Sequence, residues 1–162
     1  MKAMRRMADH VVDTTSMTVH DLRHVFTGVA SGRAPGTRLV VTILSFGFKH
    51  GIPVDADLLF DVRFLPNPHF VPALRPHTGR DREVRRYLDR SQATADFLKH
   101  TLNLLRFLVP QYAAEGKSYL TIGIGCTGGR HRSVAMAEAL KKGLSGVEGI
   151  RLRVAHRDIA ID

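Results

Sequence analysis

Between Ser118 and Leu140 an apolar, β-branched run gives way to Gly125-Cys126-Thr127-Gly128-Gly129-Arg130-His131-Arg132-Ser133 and then to apolar residues at helical spacing. Few local folds accommodate such a junction. The pattern predicts a strand over Ser118–Gly125 and a helix over Ser133–Leu144, and a glycine-rich turn between them points backbone N–H groups and a helix N-terminus at one spot. Anions bind such spots, so the junction reads as a grip on a phosphate-bearing ligand.

The remaining segments fit one architecture around it. Arg38–Phe46 is β-branched and apolar throughout, as a strand covered on both faces requires, and Gly47–Pro53 follows as a loop carrying Lys49 and His50. A second strand is expected over Leu58–Phe64. After it Pro66, Pro68, Pro72 and Pro76 forbid regular structure. From Asp81 the period becomes helical, with Val84, Leu88, Ser91, Ala95, Leu98, Leu102, Leu105 and Val109 recurring until Pro110. This is one long helix, or two with a break near Ser91. Ile150–Val154 predicts a last strand. Upstream, His10–Asp13 reads as a strand end and Thr18 as the N-cap of a helix carrying Val19, Leu22 and Phe26, interrupted by Ser31, Gly32, Pro35 and Gly36. Strands alternating with helices predict an α/β fold: a single domain with a mainly parallel sheet flanked by helices, its phosphate-binding strand–loop–helix near the C-terminus. A length of 162 residues suits one well-buried core.

Composition narrows the function. The formal net charge is +9, mainly from arginine, whose guanidinium favours flat oxyanions such as phosphate or carboxylate. No apolar run approaches the ~20 residues of a membrane span. The basic start, Met1 to Met7, leads into Ala8, Asp9 and His10 rather than an apolar core, so a cytoplasmic protein is expected. The single cysteine, Cys126, excludes an internal disulfide and a four-cysteine zinc site, and no spacing resembles a metal site.

Within the junction, Cys126 and Arg132 stand at the Cys-x5-Arg spacing with which cysteine-dependent phosphatases wrap a phosphate, and Ser133 follows. Catalysis and binding both remain open. Against catalysis, Gly125 stands where such enzymes commonly carry histidine, although Asp61 could serve as the acid. Gly123-Ile124-Gly125-Cys126-Thr127-Gly128 also fits the dinucleotide fingerprint, but the acidic residue expected about 20 positions on, Glu148, precedes the next strand rather than ending it. Gly129-Arg130-His131 is not the Gly-Lys-Ser/Thr of a Walker A loop. A turn whose glycines serve packing alone is the bland alternative. A second cluster, Lys49, His50, Asp61, Arg63, Asn67 and His69, follows candidate strands, and ligands of open parallel sheets sit beyond strand carboxyl ends. One shared pocket is expected. The six arginines from Arg75 to Arg90 interleave with Asp81, Glu83 and Asp89 and read as a solvated helix face.

The runs Ser45-Phe46-Gly47-Phe48-Lys49-His50-Gly51, Phe60-Asp61-Val62-Arg63-Phe64-Leu65-Pro66-Asn67-Pro68 and Gly125 to Ser133 resemble the C-terminal domain of the RapZ family, over about Arg38 to His156. Ala8–Arg23 resembles the end of that family's N-terminal P-loop kinase-like domain. Residues 1–36 are accordingly expected to be a remnant of that domain with a linker, and 37–162 the C-terminal domain. The resemblance implies a bacterial RNase adapter, a binder rather than an enzyme. It would sense glucosamine-6-phosphate, bind a small regulatory RNA, present it to an RNase E-type nuclease and so tune amino-sugar synthesis, as a homo-oligomer. It implies a sugar-phosphate pocket lined by Lys49, His50, Asp61, Arg63, His69, Cys126, Thr127, Gly128, Gly129, His131 and Arg132, to which the loop pattern adds Ser133. No cofactor is expected in this chain, because the family's ATP or GTP binding belongs to its N-terminal domain. The tail Arg151 to Asp158 ends acidic, unlike the basic cluster of enterobacterial members.

Overall fold

A computed structural model describes residues 39–161 and, before them, Val12, Thr14, Thr15, Met17, Leu22 and Val25. Of the expected strand end at His10–Asp13 only Val12 is among the described residues, and the Thr18 cap lies outside them. The chain divides into the units Met1–Thr37 and Arg38–Asp162, and the following concerns the second.

Four strands, β1 (Leu39–Gly47), β2 (Leu58–Asp61), β3 (Tyr119–Cys126) and β4 (Ile150–His156), form one all-parallel sheet in the order β2-β3-β1-β4. The order explains the burial. Central β1 and β3 are buried almost throughout, whereas edge strand β4 alternates half-buried and exposed residues, the signature of one covered face. Helices α1 (Arg82–Asp89), α2 (Gln92–Ala114) and α3 (Arg132–Leu144) complete the unit. Val41, Ile43, Leu120, Ile122 and Ile124 from the sheet meet Leu88, Leu105, Val109, Met136, Leu140 and Leu144 from the helices in one buried cluster. Among the described residues no helix is long and apolar enough to cross a membrane.

The helical stretch after Asp81 is two helices, parted at Ser91, whose backbone is extended (φ −90°, ψ 124°). The second does not stop at Pro110 as expected; it runs on to Ala114. Pro110 is exposed on that helix, where its ring can face water while buried Leu105 and Val109 hold the helix down. Strand β2 ends at Asp61 rather than Phe64. There the Asp61 carboxylate accepts the Arg63 N–H at 2.9 Å, and Leu65 N–H bonds back to the Val62 carbonyl at 3.3 Å, so the chain turns away from the sheet. The proline segment also contains a 3₁₀ turn, Pro68–Phe70, capped by the Asn67 side chain. The last strand runs two residues beyond Val154, to His156, which pairs with Ser45.

Pro110 leaves the Arg106 carbonyl without its usual i+4 donor. Pro110→Ala is therefore expected to stabilise the domain by about 1–3 kcal/mol, seen as a higher urea midpoint. A lower midpoint would mean that the ring packs favourably enough to outweigh the lost bond.

Candidate functional site

The site lies beyond the carboxyl ends of β1 and β3, whose final residues Gly47 and Cys126 are register partners. Two glycines let the loop after β3 fold back over the end of β1. A Cβ on Gly47 would stand 2.5 Å from the Gly128 carbonyl carbon, and Gly129, at φ 78°, would press a Cβ to 2.7 Å from the Gly47 nitrogen. Neither position admits a side chain. Asp158 anchors the same junction from the far side: its carboxylate accepts the Gly47 N–H at 2.7 Å and is gripped by the Arg157 guanidinium at 2.8 Å. Burial pushes the Asp158 carboxyl up, but the Arg157 hydrogen bond, the Gly47 N–H and the nearby Arg157 and His50 charges outweigh it and hold it below the usual carboxylate range.

Arg132 opens α3 and is 5% exposed. Its Nη1 donates to the carbonyls of Arg63 at 2.6 Å and Leu65 at 3.2 Å, and Nη2 donates to Thr127 Oγ1 at 3.3 Å. Nε is buried with no partner. One end of the guanidinium is thus consumed by the turn that follows β2, while the Nε–Nη2 edge keeps donor capacity. Cys126 Sγ accepts the Gly129 N–H at 3.3 Å and lies 3.2 Å from Ser133 Oγ. The Thr127 and Gly128 N–H groups donate no hydrogen bond among the described residues.

A cavity of about 840 Å³ opens over this loop. It brings together eight of the expected residues: Lys49, Asn67, His69, Cys126, Thr127, Gly128, His131 and Arg132. Lys49 reaches over the loop, its Cε 3.8 Å from where a Gly128 Cβ would stand. Burial holds the His131 imidazole below the ordinary histidine range, so it is neutral near pH 7 and its Nε2–H donates to the Arg75 carbonyl at 3.2 Å. Five expected residues do not line the cavity. Asp61 and Arg63 form an ion pair with each other at 2.6 Å, and Arg63 also stacks over Phe48 at 4.2 Å; the bond to Arg63 holds the Asp61 carboxyl low. His50 has a buried, unpartnered Nε2, Gly129 serves the tight turn, and Ser133 is buried against the sulfur. Asp61 is therefore committed to Arg63 rather than poised as an acid.

The proline segment supplies wall residues that the strand-end argument did not select: Phe70, Pro72, Arg75 and Pro76, joined by Arg130 and Ile161. Arg75 belongs to no helix face; its Nε donates to the His69 carbonyl at 3.1 Å. Arg130 ties the loop to this wall by donating to the Pro76 carbonyl at 2.7 Å and the His77 carbonyl at 3.3 Å.

The family model described as the RapZ C-terminal domain matches residues 39–160. Among curated relatives, the chain is 49% identical over 159 residues to a nucleotide-binding protein of Trichlorobacter lovleyi, covering 98% of this chain and 55% of that protein. It is 47% identical to a nucleotide-binding protein of Geobacter sulfurreducens (98% and 55% covered) and 52% identical to one of Rubrobacter xylanophilus (96% and 52% covered). The chain spans about half the length of the curated relatives it matches.

Because Asp158 is depressed in the folded state, its stabilisation is complete above the unfolded value of about pH 4 and is lost as pH falls through the lower folded value. Asp158→Asn should lose about 1–3 kcal/mol at pH 7, with the gap to wild type closing below about pH 4. Urea unfolding across pH measures this. A gap that stays constant in acid would show that the carboxylate charge is not what secures Gly47.

Proposed function

Since the chain belongs to the family of the RapZ C-terminal domain, we propose that its pocket binds a phosphorylated sugar of the glucosamine-6-phosphate type and that the domain serves as a sensing, RNA-binding adapter. The observation that carries the reading is the buried, unpartnered Arg132 Nε beside the Cys126 loop. A buried cation without a full complement of acceptors is costly, and a phosphate on the loop supplies them. Bidentate contact with Nε and Nη2, the Thr127 and Gly128 N–H groups and the Lys49 ammonium would hold its oxygens. The ring of the sugar has room in the cavity toward His69, Phe70 and Arg75. Presentation of RNA to an RNase E-type nuclease, homo-oligomerisation and a cytoplasmic setting complete this reading. In it, residues 1–36 close a preceding P-loop kinase-like domain to which ATP or GTP binding belongs.

A second reading, phosphoryl transfer by Cys126, is favoured by one feature, the two groups directed at its sulfur from Gly129 and Ser133. Turnover of p-nitrophenyl phosphate that vanishes in Cys126→Ser would establish it, and absence of turnover would end it.

Calorimetric titration with glucosamine-6-phosphate tests the first reading. Wild type should release or absorb binding heat, Arg132→Ala should weaken binding about 10- to 100-fold through loss of charge-assisted bonds, and exposed Lys49→Ala should weaken it with an unchanged urea midpoint. No binding by wild type, or undiminished binding in both variants, defeats the proposal.

A further inference from the structure

The charge around the cavity is one-sided. Lys49, Arg75, Arg130 and Arg132 line it, and no Asp or Glu among the described residues does. The acids that stand beside it are engaged elsewhere, Asp61 with Arg63 at 2.6 Å and Asp158 with Arg157 and the Gly47 N–H. A phosphate on the Cys126 loop draws on Lys49 and Arg132. Arg130 already serves the Pro76 and His77 carbonyls. The Arg75 charge is met neither by a loop-bound phosphate nor by a carboxylate.

Arg75 is exposed, and an exposed arginine ordinarily keeps its rotamer freedom in water. This one is held in place. Its backbone N–H donates to the Val71 carbonyl at 3.1 Å, its carbonyl accepts the His131 Nε2–H at 3.2 Å, and its side-chain Nε donates to the His69 carbonyl at 3.1 Å. Because His131 is also the N-cap of α3, the wall that carries Arg75 is fastened to the loop that cradles the phosphate. Nη1 and Nη2 of Arg75 make no hydrogen bond or ion pair among the described residues. Closing the Pro68–Phe70 turn explains the Nε bond, yet a neutral donor would close that turn equally well. What arginine adds is a charge and a planar pair of donors.

We infer that Arg75 selects ligands by a second oxyanion: the pocket favours a hexose that carries, besides the loop-bound phosphate, a phosphate or carboxylate at its far end. The inference rests on the sugar-phosphate reading above and narrows its ligand class. Nη1 and Nη2 would take two oxygens of that group in bidentate fashion. A cavity of about 840 Å³ is within the range that encloses ligands of drug size, so a hexose with two anionic substituents fits. The ammonium of an amino sugar, by contrast, meets no acid among the described lining residues and adds a like charge to the cations there. The pocket tolerates such an amine and does not recognise it.

Calorimetric titration of the wild-type chain with glucose-6-phosphate, glucosamine-6-phosphate, glucose-1,6-bisphosphate and 6-phosphogluconate tests this. The bisphosphate or the phosphogluconate should bind about 10- to 100-fold tighter than glucose-6-phosphate, the increment of a charge-assisted pair. Whichever gains more identifies the second anion as phosphate or carboxylate. Glucosamine-6-phosphate should bind no tighter than glucose-6-phosphate. Arg75→Gln, whose side-chain N–H can keep the bond to the His69 carbonyl while the charge is removed, should bring the doubly anionic ligand down to the affinity of glucose-6-phosphate. Unchanged binding of glucose-6-phosphate by that variant shows that the wall and the fold survive. Equal affinity of wild type for all four ligands, or tightest binding of glucosamine-6-phosphate, overturns the inference and leaves the sugar-phosphate reading standing. Binding of none of the four removes both. A gain for the doubly anionic ligand that persists undiminished in Arg75→Gln takes the second anion away from Arg75 and overturns the assignment.

Discussion

The guanidinium of Arg132 is the constraint around which the domain is arranged. It is buried, no carboxylate pairs with it among the described residues, and its acceptors are two backbone carbonyls and a threonine hydroxyl. Carbonyl dipoles ease the burial of a cation but do not neutralise it. Because those carbonyls belong to Arg63 and Leu65, the chain has to leave the sheet at Asp61 so that they can turn inward, and the Asp61–Arg63 ion pair holds that turn. The end of β2, the loop after β3 and the start of α3 are thus tied at one side chain. The local deficit of negative charge is what a phosphate would make good.

That arrangement also explains which parts of the molecule could be read in advance. The alternating strands and helices, the parallel sheet and the Cys126 loop follow from periodicity and from glycines at fixed places, and these are local properties. Residue type alone extends β2 to Phe64, because Val62 and Phe64 have strand-forming side chains, while what stops the strand is a partner for the Arg63 carbonyl nearly 70 residues away. Pro110 was a reasonable stop signal, but tertiary burial of Leu105 and Val109 outweighs one missing hydrogen bond.

The same distinction separates the site residues. Asp158 lies in a tail whose acidity looked like a departure from a basic cluster, yet its carboxylate secures the Gly47 N–H beneath the loop. Arg75 read as part of a solvated helix and instead walls the cavity, because the prolines around it carry the chain across the sheet end before α1 begins. Asp61 and Arg63 stand near the site in sequence motif and in space but pair with each other, and His50 lies outside the cavity lining with its Nε2 buried and unpartnered. A motif identifies which residues travel together; which of them line the cavity depends on turns that the motif does not encode.

Helix α3 carries Arg132 in its first turn and Lys141 and Lys142 in its last. Nine residues separate Arg132 from Lys141, about 14 Å along the axis. That exceeds the screening length of about 8 Å at physiological ionic strength, so charge bound at one end is only weakly felt at the other through solvent. Under the proposed reading, a sugar phosphate would modulate RNA binding through shared contacts at the Cys126 loop or through a mechanical response of the helix. The mechanical route has a definite starting point: an anion that draws on the Arg132 Nε–Nη2 edge competes with the Thr127 hydroxyl for Nη2, at the residue where the helix begins. Direct competition needs no movement at all, only an RNA phosphate occupying the loop in place of the sugar phosphate. The two routes differ in their limit: competition lets excess sugar phosphate displace the RNA without bound, whereas coupling through α3 would leave both bound with a finite shift in affinity, and either effect is reciprocal.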